Sequence, residues 1–398
     1  MTLARVCIIG AAASPVGRYA EYRGQRGALP EAELLTQIAQ AALRDAGVTA
    51  ADVNSAVFTP AMPESPQQGF ATHMAARLGL RCTGQLSEIL QMGITGGLAF
   101  DSAAADIQLG RANVALALGV AYPSGGHPAR AMAQGLRVVG DAEFQAPFGA
   151  TPIAWYALDA ARYLHDTGAR REDIASVAVK SREFATHNPL AQFRDRLSLA
   201  EVLAGRPIVE PLGIHEVPAI GDGAVCVLLA SEAVARNLGR PYVTVRGRAF
   251  RHDGHHQIGD RPHDITRYPA LRDAVAAALT EANLTRDDID VAELYAPCTI
   301  TEVLATEAAG WFERGRGAAA AAAGETKIHG SIPINTSGGC LSRGHPPVLT
   351  ALYGLLELRE QLLGRAGARQ VRGARLALAS CEGGNYNSTI VHVLEGPA

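Results

Sequence analysis

The stretch Ala41-Ala-Leu-Arg-Asp-Ala-Gly-Val-Thr-Ala-Ala-Asp-Val-Asn54 has a second, related copy later in the chain. It aligns without gaps onto Ala277-Ala-Leu-Thr-Glu-Ala-Asn-Leu-Thr-Arg-Asp-Asp-Ile-Asp290, at a constant offset of 236 residues. Each copy has the pattern of an amphipathic helix ending at Gly47 or Asn283, residues that tolerate the left-handed backbone of a helix C-cap. A short turn containing aspartate and an apolar strand follow. The sequence therefore predicts an internal duplication.

Short apolar segments flank both copies. Residues 6–10 parallel residues 242–246 as an opening strand, and residues 114–118 parallel residues 376–380 as a late one. Continuous apolar runs of this length are typical of strands that are buried on both faces and alternate with helices. The pattern predicts an α/β fold of two packed halves, residues 1–240 and residues 241–398.

Composition limits the classes of function. The 398 residues are 48% hydrophobic and 19% charged, which is enough apolar material for a large core and two domains. A net charge of -3 gives the molecule no overall attraction to nucleic acid or to an acidic membrane surface. The six cysteines have no paired spacing that indicates a disulfide framework or a zinc ribbon, which favours a reducing, cytoplasmic location. No apolar stretch reaches the roughly 20 residues that span a bilayer.

A set of motifs in the same order along the chain resembles the thiolase superfamily. Asn335-Thr-Ser-Gly-Gly-Cys-Leu-Ser-Arg-Gly-His-Pro346 is similar to its Gly-His-Pro signature, and Cys381-Glu-Gly-Gly384 to its second cysteine motif. Gly221-Asp-Gly-Ala224 matches a turn of these enzymes. His187-Asn-Pro189 and Tyr295-Ala-Pro-Cys-Thr299 are similar to the sterol-carrier-type branch. The matches extend from about residue 3 to residue 395, so the resemblance covers the chain.

This resemblance implies a thiolase-like five-layer αβαβα sandwich of two duplicated halves, with an active site where helix N-termini from both halves meet. It implies that an insert in the first half, at about residues 124–212, folds as a lid over the pantetheine arm of coenzyme A. The substrate it implies is an acyl-CoA thioester, with no separate cofactor and no metal. The expected assembly is a homodimer or a dimer of dimers.

Gly93 departs from the family pattern. In Gln91-Met-Gly-Ile-Thr-Gly-Gly97 the glycine stands where the resembling enzymes have their nucleophilic cysteine, and Thr95 matches the Ser or Thr that follows it. Glycine offers no atom to attack a thioester, so an acyl-enzyme cannot form in the usual way. The vacated position predicts chemistry without a covalent cysteine intermediate.

The resemblance assigns roles to three further groups. His345 is expected to stabilise an oxyanion, Cys381 to move the proton at the carbon alpha to the thioester, and the Gly383 amide to donate to an oxyanion. These groups suffice for acid-base chemistry on a thioester without a nucleophile.

Tyr295 stands where sterol-carrier-type thiolases have a histidine. Certain thiolase-fold aldolases that cleave steroid side chains are similar in this respect, because they lack the nucleophilic cysteine and use a tyrosine near this place. Retro-aldol cleavage needs a base for the hydroxyl proton and stabilisation of the thioester enolate, but no acyl-enzyme. With an ordinary pKa near 10, the phenol needs a neighbouring cation or oxyanion donor to act as that base.

The sequence thus predicts a protein that makes or breaks a carbon-carbon bond in an acyl-CoA thioester, with Tyr295, His345 and Cys381 as working groups. One alternative is an acetyl-CoA acyltransferase of the thiolase type that has recruited Cys340 or Cys298. Another is a noncatalytic or partner-dependent acyl-CoA-binding subunit, since several relatives operate with a small, zinc-bearing partner of the oligonucleotide-binding fold.

Two other segments are assigned no chemistry. The six alanines at residues 318–323, between Gly317 and Gly324, have the composition of a flexible surface connection. Arg251-His-Asp-Gly-His-His256, with His263, contains metal-ligating residue types, but its spacing matches no metal motif and favours a solvent-exposed loop.

Overall fold

The computed structural model describes residues 4–19, 30–60, 67–124, 139–218, 220–254 and 264–397. The first part of the chain forms β1 (Val6–Ala13), α1 (Glu31–Ala46), β2 (Ser55–Thr59), α2 (Phe70–Leu78), β3 (Leu86–Glu88), α3 (Thr95–Gln108), β4 (Val114–Ala121), α4 (Pro152–Thr167), α5 (Arg171–Ala185), α6 (Leu199–Leu203), β5 (Pro207–Val209), β6 (Leu212–Gly213), β7 (Gly223–Ser231) and α7 (Glu232–Asn237). The rest forms β8 (Val243–His252), α8 (Pro269–Ala282), β9 (Val291–Glu293), α9 (Thr299–Ala308), α10 (Gly317–Ala322), α11 (Gly339–Ser342), α12 (Thr350–Leu362), β10 (Leu376–Gly383) and β11 (Ser388–Glu395).

Nine of these strands form a mixed sheet of order β3-β2-β4-β7-β1-β8-β11-β10-β9. The order β2-β4-β7-β1 on one side repeats as β9-β10-β11-β8 on the other, with β2–β4 and β9–β10 parallel and the remaining pairs of each repeat antiparallel. The repeats meet through β1 and β8, where Cys7 is paired with Thr244 and Ile8 with Val243. The strands therefore repeat one connectivity around a central junction.

Helices lie in three layers around these strands. α1 packs against β1 and β7, and α8 packs in the same way against β8 and β11. α3 and α12 contact one another between the two repeats, and each reaches strands of both. Three large clusters of buried apolar side chains fill the spaces under α1, around the central helices and under α8. Helix, strand, central helix, strand and helix layers follow in that order, as predicted.

The duplication extends to individual hydrogen bonds. Gly47 and Asn283 both have left-handed backbones, with φ of 74° and 56°, as the sequence predicts. Two residues on, the Thr49 hydroxyl donates to Asp52 at 2.8 Å, and the Thr285 hydroxyl donates to Asp288 at the same distance.

The opening strands are related by an offset of 237 rather than 236. A β-carbon on Gly10 would lie 2.6 Å from the Cβ atom of Ala46, and one on Gly247 would lie 2.1 Å from the Ala278 carbonyl oxygen. Both glycines thus let a helix approach a strand closely. Each follows an irregularity in the strand register, at Ile9 in β1 and at Arg246 in β8. Because the two irregularities are themselves equivalent, the one-residue difference in offset arises between the opening strand and the helix that follows it.

The predicted insert lies against the second repeat. α4 and α5 pack on α9, and the buried ammonium group of Lys180 in α5 is hydrogen-bonded to the Glu302 carboxylate in α9. Residues 125–138 of the insert lie outside the described residues. The lid role and the boundaries at residues 240 and 241 stay predictions.

The alanine run is a correction to the sequence analysis. Residues 317–322 form α10, which packs against α5, and Ala318, Ala320 and Ala321 are buried. Small side chains allow this close contact between helices, so the run is part of the core rather than a flexible connection. His255, His256 and His263 of the histidine-rich segment lie outside the described residues. No helix in the described parts of the chain combines the length and apolar character that a bilayer crossing requires.

Candidate active site

A cavity of about 170 Å³ lies where the two central helices begin. Gly93 precedes α3, Pro347 precedes α12, and Tyr295 follows β9. The wall is mostly apolar, and its described residues are Met92, Gly93, Val139, Pro152, Ile153, Tyr156, Pro218, Ile220, Tyr295, Pro297, His345, Pro347, Val348, Glu382 and Gly384. The cavity therefore combines both repeats and the insert, and it offers a few polar groups in mostly apolar surroundings.

Tyr295 fills the space beside Gly93. A β-carbon on Gly93 would lie 2.7 Å from the Tyr295 hydroxyl oxygen and 2.7 Å from the Glu382 carbonyl oxygen. The turn that holds Gly93 is fixed by Thr95, whose hydroxyl donates to the Met92 carbonyl at 2.6 Å. At this helix start a phenol hydroxyl occupies the volume that a side chain at residue 93 would need.

Tyr295 and His345 form a hydrogen-bonded pair. The Tyr295 hydroxyl lies 3.1 Å from His345 Nε2, and the Thr350 hydroxyl lies 3.2 Å from His345 Nδ1. The geometry accommodates either histidine tautomer. The Thr350 hydroxyl can donate either to Nδ1 or to the Pro346 carbonyl at 3.3 Å. When it donates to Nδ1, the hydrogen on Nε2 is donated to the Tyr295 oxygen, and the phenol hydrogen is left to point into the cavity. The pair can then act as a hydrogen-bond donor to a substrate oxygen.

Burial keeps both members of the pair uncharged. It lowers the pKa of His345 to about 3, and the nearby Arg343 guanidinium lowers it further. It also raises the pKa of Tyr295 well above its usual value, and the negative charge of Glu382 adds to this rise. The sequence analysis required a cation or oxyanion donor to make Tyr295 a base. Its actual surroundings argue against that role and favour a neutral phenol that donates a hydrogen bond.

Cys381 does not line the cavity. Its side chain is 1% exposed, and its thiol donates to the Gly93 carbonyl at 3.1 Å. Burial raises the pKa of this thiol, so it is a weak acid and is held on the far side of Gly93. Successive residues of β10 point to opposite faces, and the cavity is lined by the next residue, Glu382. Gly383 lies between two lining residues but is not itself one of them.

Glu382, Tyr156 and Tyr386 are site residues that the sequence analysis missed. One carboxylate oxygen of Glu382 accepts from the Tyr156 hydroxyl at 2.9 Å, and the other accepts from the Tyr386 amide at 2.9 Å. Tyr386 also donates its hydroxyl to the Tyr295 carbonyl, and its backbone φ is 61°, an unusual value for a residue other than glycine. Glu382 was visible inside a recognised motif. The long-range partners of this carboxylate were not.

The other two cysteines of interest do not line the cavity. Cys340 is 1% exposed and Cys298 is fully buried, and neither is among the residues that line the cavity. Burial raises the pKa of Cys340 to about 11 and that of Cys298 well above its usual value. Both thiols are therefore poor nucleophiles where they lie.

Comparisons with known proteins match both halves of the chain. A family model of the thiolase N-terminal domain matches residues 6–200, and a model described as thiolase C-terminal domain-like matches residues 251–396. The chain is 32% identical to an acetyl-CoA acetyltransferase of Methanothermobacter thermautotrophicus, over 91% of this chain and 93% of that protein. It is 31% identical to a steroid side-chain-cleaving aldolase of Thermomonospora curvata, over 79% of this chain and 82% of that one.

Two solved structures are also similar. The chain superposes on a structure described as the Ltp2-ChsH2(DUF35) aldolase with a TM-score of 0.84 and 25% identity, covering 100% of this chain and 99% of the other. It superposes on a monomeric SCP2-thiolase like protein from Mycobacterium smegmatis with a TM-score of 0.72, covering 99% of this chain and 77% of that one. At 20% identity, this second likeness is one of fold.

Proposed function

Because the chain belongs to the thiolase superfamily, we propose that it makes or breaks a carbon-carbon bond in an acyl-CoA thioester by aldol chemistry, without a cysteine acyl-enzyme. The superfamily fold predicted from the sequence is confirmed by the same comparisons. The observation that carries the proposal is the Tyr295 hydroxyl beside Gly93, hydrogen-bonded to His345. The similarity to a steroid side-chain-cleaving aldolase supports the same reaction class.

The reaction is a retro-aldol cleavage of a 3-hydroxyacyl thioester, or its reverse. Loss of the hydroxyl proton forms the new carbonyl group while the bond between the alpha and beta carbons breaks. The bonding pair moves into the thioester as an enolate, whose oxygen accepts the Tyr295 hydroxyl hydrogen. His345 supports that donor from behind. A fixed donor in a water-poor cavity stabilises such charge without reorganisation.

Two features bear on partners. The similar solved structure is described as the Ltp2-ChsH2(DUF35) aldolase. The chain is 33% identical to subunit BbsB of the Thauera aromatica benzoylsuccinyl-CoA thiolase, over 63% of this chain and 64% of that one. We therefore include a small zinc-bearing partner subunit for this chain in the proposal.

Edge strand β3, with Leu86 41% exposed and Leu90 49% exposed just beyond it, supports a homodimer. Six free cysteines are consistent with a cytoplasmic location.

The competing acyltransferase function requires a cysteine that is acylated. Intact-protein mass spectrometry, after incubation with a panel of 3-hydroxyacyl-CoA and acyl-CoA thioesters, tests this directly, with carbonyl product and shortened acyl-CoA assayed in parallel. We expect carbonyl product and no mass increase. A stable acyl adduct identifies the transferase instead, and the absence of both adduct and product, with the co-purified partner present, contradicts the proposal.

A further inference from the structure

We propose that Glu382 is the general base of this reaction and that Tyr156 and Tyr386 hold its carboxylate in place. The inference rests on the proposed function, and it moves the proton-transfer role away from Cys381 and Tyr295. Among the described residues that line the cavity, Glu382 is the one that carries a carboxyl group. His345 and the tyrosines are the other titratable groups of that wall, and burial keeps the pKa of each on its neutral side.

The duplication shows that the scaffold does not need a carboxyl group at this position. In the strand registers, Val114 of β4 is equivalent to Leu376 of β10, because both begin the pairing with β7 or β11. Counting along both strands makes Val120 the counterpart of Glu382. Val120 is fully buried and packs in the apolar cluster under α1. Burying a carboxyl group at the same place in the second repeat is costly, and a function explains why that cost is tolerated.

Among the described residues, two donors to the carboxylate come from different parts of the chain. The Tyr156 hydroxyl, on α4 of the insert, donates to one oxygen, and the Tyr386 amide donates to the other. Tyr156 itself lines the cavity, and Tyr386 donates its hydroxyl to the backbone of Tyr295. One residue with a strained backbone therefore links the proposed base to the proposed oxyanion donor. Strain at such a bridge is typical of a site that must hold its geometry.

Glu382 alone can both remove the proton and return it. The Glu382 carboxylate removes the proton from the substrate hydroxyl, the bond between the alpha and beta carbons breaks, and the thioester enolate forms under the Tyr295 hydroxyl. The protonated Glu382 then delivers the proton to the alpha carbon of the enolate. The products are a carbonyl compound and a shortened acyl-CoA thioester, and Glu382 is again a carboxylate. No oxidant, metal or second substrate enters this step.

Deuterium exchange isolates the proposed base from the rest of the reaction. Wild-type protein, with its co-purified partner where one is present, is incubated in D₂O with acetyl-CoA or propionyl-CoA alone, and incorporation at the alpha carbon is followed by mass spectrometry. Cleavage of a 3-hydroxyacyl-CoA is measured separately. We expect Glu382→Gln to lower both rates about 10²- to 10⁴-fold, the usual contribution of a positioned general base. Binding of the same thioesters should persist.

Glu307 provides a matched control. It accepts a tyrosine hydroxyl, from Tyr163 at 2.6 Å, and a backbone amide, from Gly317 at 2.8 Å, but it does not line the cavity. Glu307→Gln makes the same chemical change in a similar hydrogen-bonding environment, and both rates should stay at the wild-type value. If Glu382→Gln retains wild-type exchange and cleavage, the inference is wrong while the aldol function stands. If the wild type shows neither activity, the proposed function itself fails.

Two further variants keep the test decisive if Glu382→Gln does not fold. Glu382→Asp retains a carboxylate with a shorter reach, so it should cleave more slowly but keep the fall of kcat/KM at acid pH that a base produces. Tyr156→Phe removes a hydroxyl donor to the carboxylate, and should move that acid limb to higher pH. An acid limb that is the same in Tyr156→Phe and in the wild type contradicts the positioning role.

Discussion

The two repeats agree closely in their outer parts and differ at the strand ends beside the cavity. The side chain of Asn54 accepts from the Asn113 and Val114 amides, and its counterpart Asp290 accepts from the Arg375 and Leu376 amides. These side chains satisfy strand ends that would otherwise be left without hydrogen bonds, and both repeats need them. Where backbone groups require a partner, the duplicated residues keep the same function.

At the opposite ends of these strands, beside the cavity, the two repeats no longer carry side chains with the same function. Thr59 and Tyr295 are equivalent by the offset of 236. On the neighbouring strands, Gly119 is paired with Thr59 and is equivalent by register to Cys381. A β-carbon on Gly119 would lie 1.6 Å from the Thr59 hydroxyl oxygen, so this end of the first repeat is closed by direct packing. In the second repeat Tyr295 reaches across to Gly93 and His345 instead. The comparison separates groups that build the scaffold from groups that only the cavity uses.

Replacing Tyr295 should give the largest effect, and only on activity. Tyr295→Phe removes the hydroxyl that donates to the enolate oxygen, and kcat should fall about 10²- to 10³-fold, as for other lost oxyanion donors. The matched variant is Thr59→Val, which removes a buried hydroxyl that has no hydrogen-bond partner among the described residues. It should leave kcat unchanged, and the free energy of unfolding should stay the same or rise slightly. Steady-state cleavage gives kcat, and urea unfolding gives the free energy of unfolding. Equal losses of kcat in Tyr295→Phe and Thr59→Val would contradict a catalytic role for the Tyr295 hydroxyl.

The scaffold comparison is tested by the paired glycines. Overpacking a core commonly costs about 1–3 kcal/mol in the free energy of unfolding. Gly247→Ala should lie at the upper end because its β-carbon meets the Ala278 carbonyl oxygen at 2.1 Å, a backbone atom that cannot rotate away. Gly10→Ala should cost less, since its nearest atom is the Ala46 Cβ at 2.6 Å. Denaturant midpoints of the two variants give the order.

Gly17→Ala is the control for that pair, because a β-carbon there has no neighbour within 4 Å among the described residues. Its free energy of unfolding should stay within about 0.5 kcal/mol of the wild-type value. If Gly10→Ala destabilises more than Gly247→Ala, the distances do not predict which of the two helix-to-strand contacts is tighter.

The sequence predicted the duplication because helix caps and turns are local. Gly47 and Asn283 are recognisable from residue type and position alone, and the structure has both in the left-handed conformation. The one-residue change of offset at the opening strands was missed because a short apolar run can be aligned one residue to either side. The equivalence is defined by the strand partners, which are distant in the sequence.

The motifs that form the candidate site could be predicted from the sequence, but the directions in which their side chains point could not. Tyr295, His345 and Gly93 were found because each lies in a recognised segment, and the structure brings them together. Cys381 and Glu382 are neighbours, so one residue of β10 decides which of them reaches the cavity. The Glu382 carboxylate accepts from the hydroxyl of Tyr156, which lies 226 residues away along the chain. No local pattern carries such a contact.

Acid sensitivity should sharpen the contrast between the repeats. Burial lowers the pKa of both His345 and His392 to about 3, with Arg343 beside the first and Arg248 beside the second. An unfolded histidine has a pKa near 6.5, so between these values the unfolded chain binds more protons and the free energy of unfolding falls as the pH falls. Each histidine should remove about 1.2 kcal/mol from the free energy of unfolding between pH 6 and pH 5.

The first repeat offers the substitution that tests this. By strand register, Val227 is the counterpart of His392, whose Nε2 has no hydrogen-bond partner among the described residues. His392→Val should therefore flatten the pH dependence of the urea midpoint by one histidine, whereas His73→Gln, at an exposed position on α2, should leave the slope unchanged. An unaltered slope in His392→Val would show that this ring is protonated without unfolding. In that case, the buried imidazole has more access to solvent than its packing against Phe100, with ring centroids 4.8 Å apart, indicates.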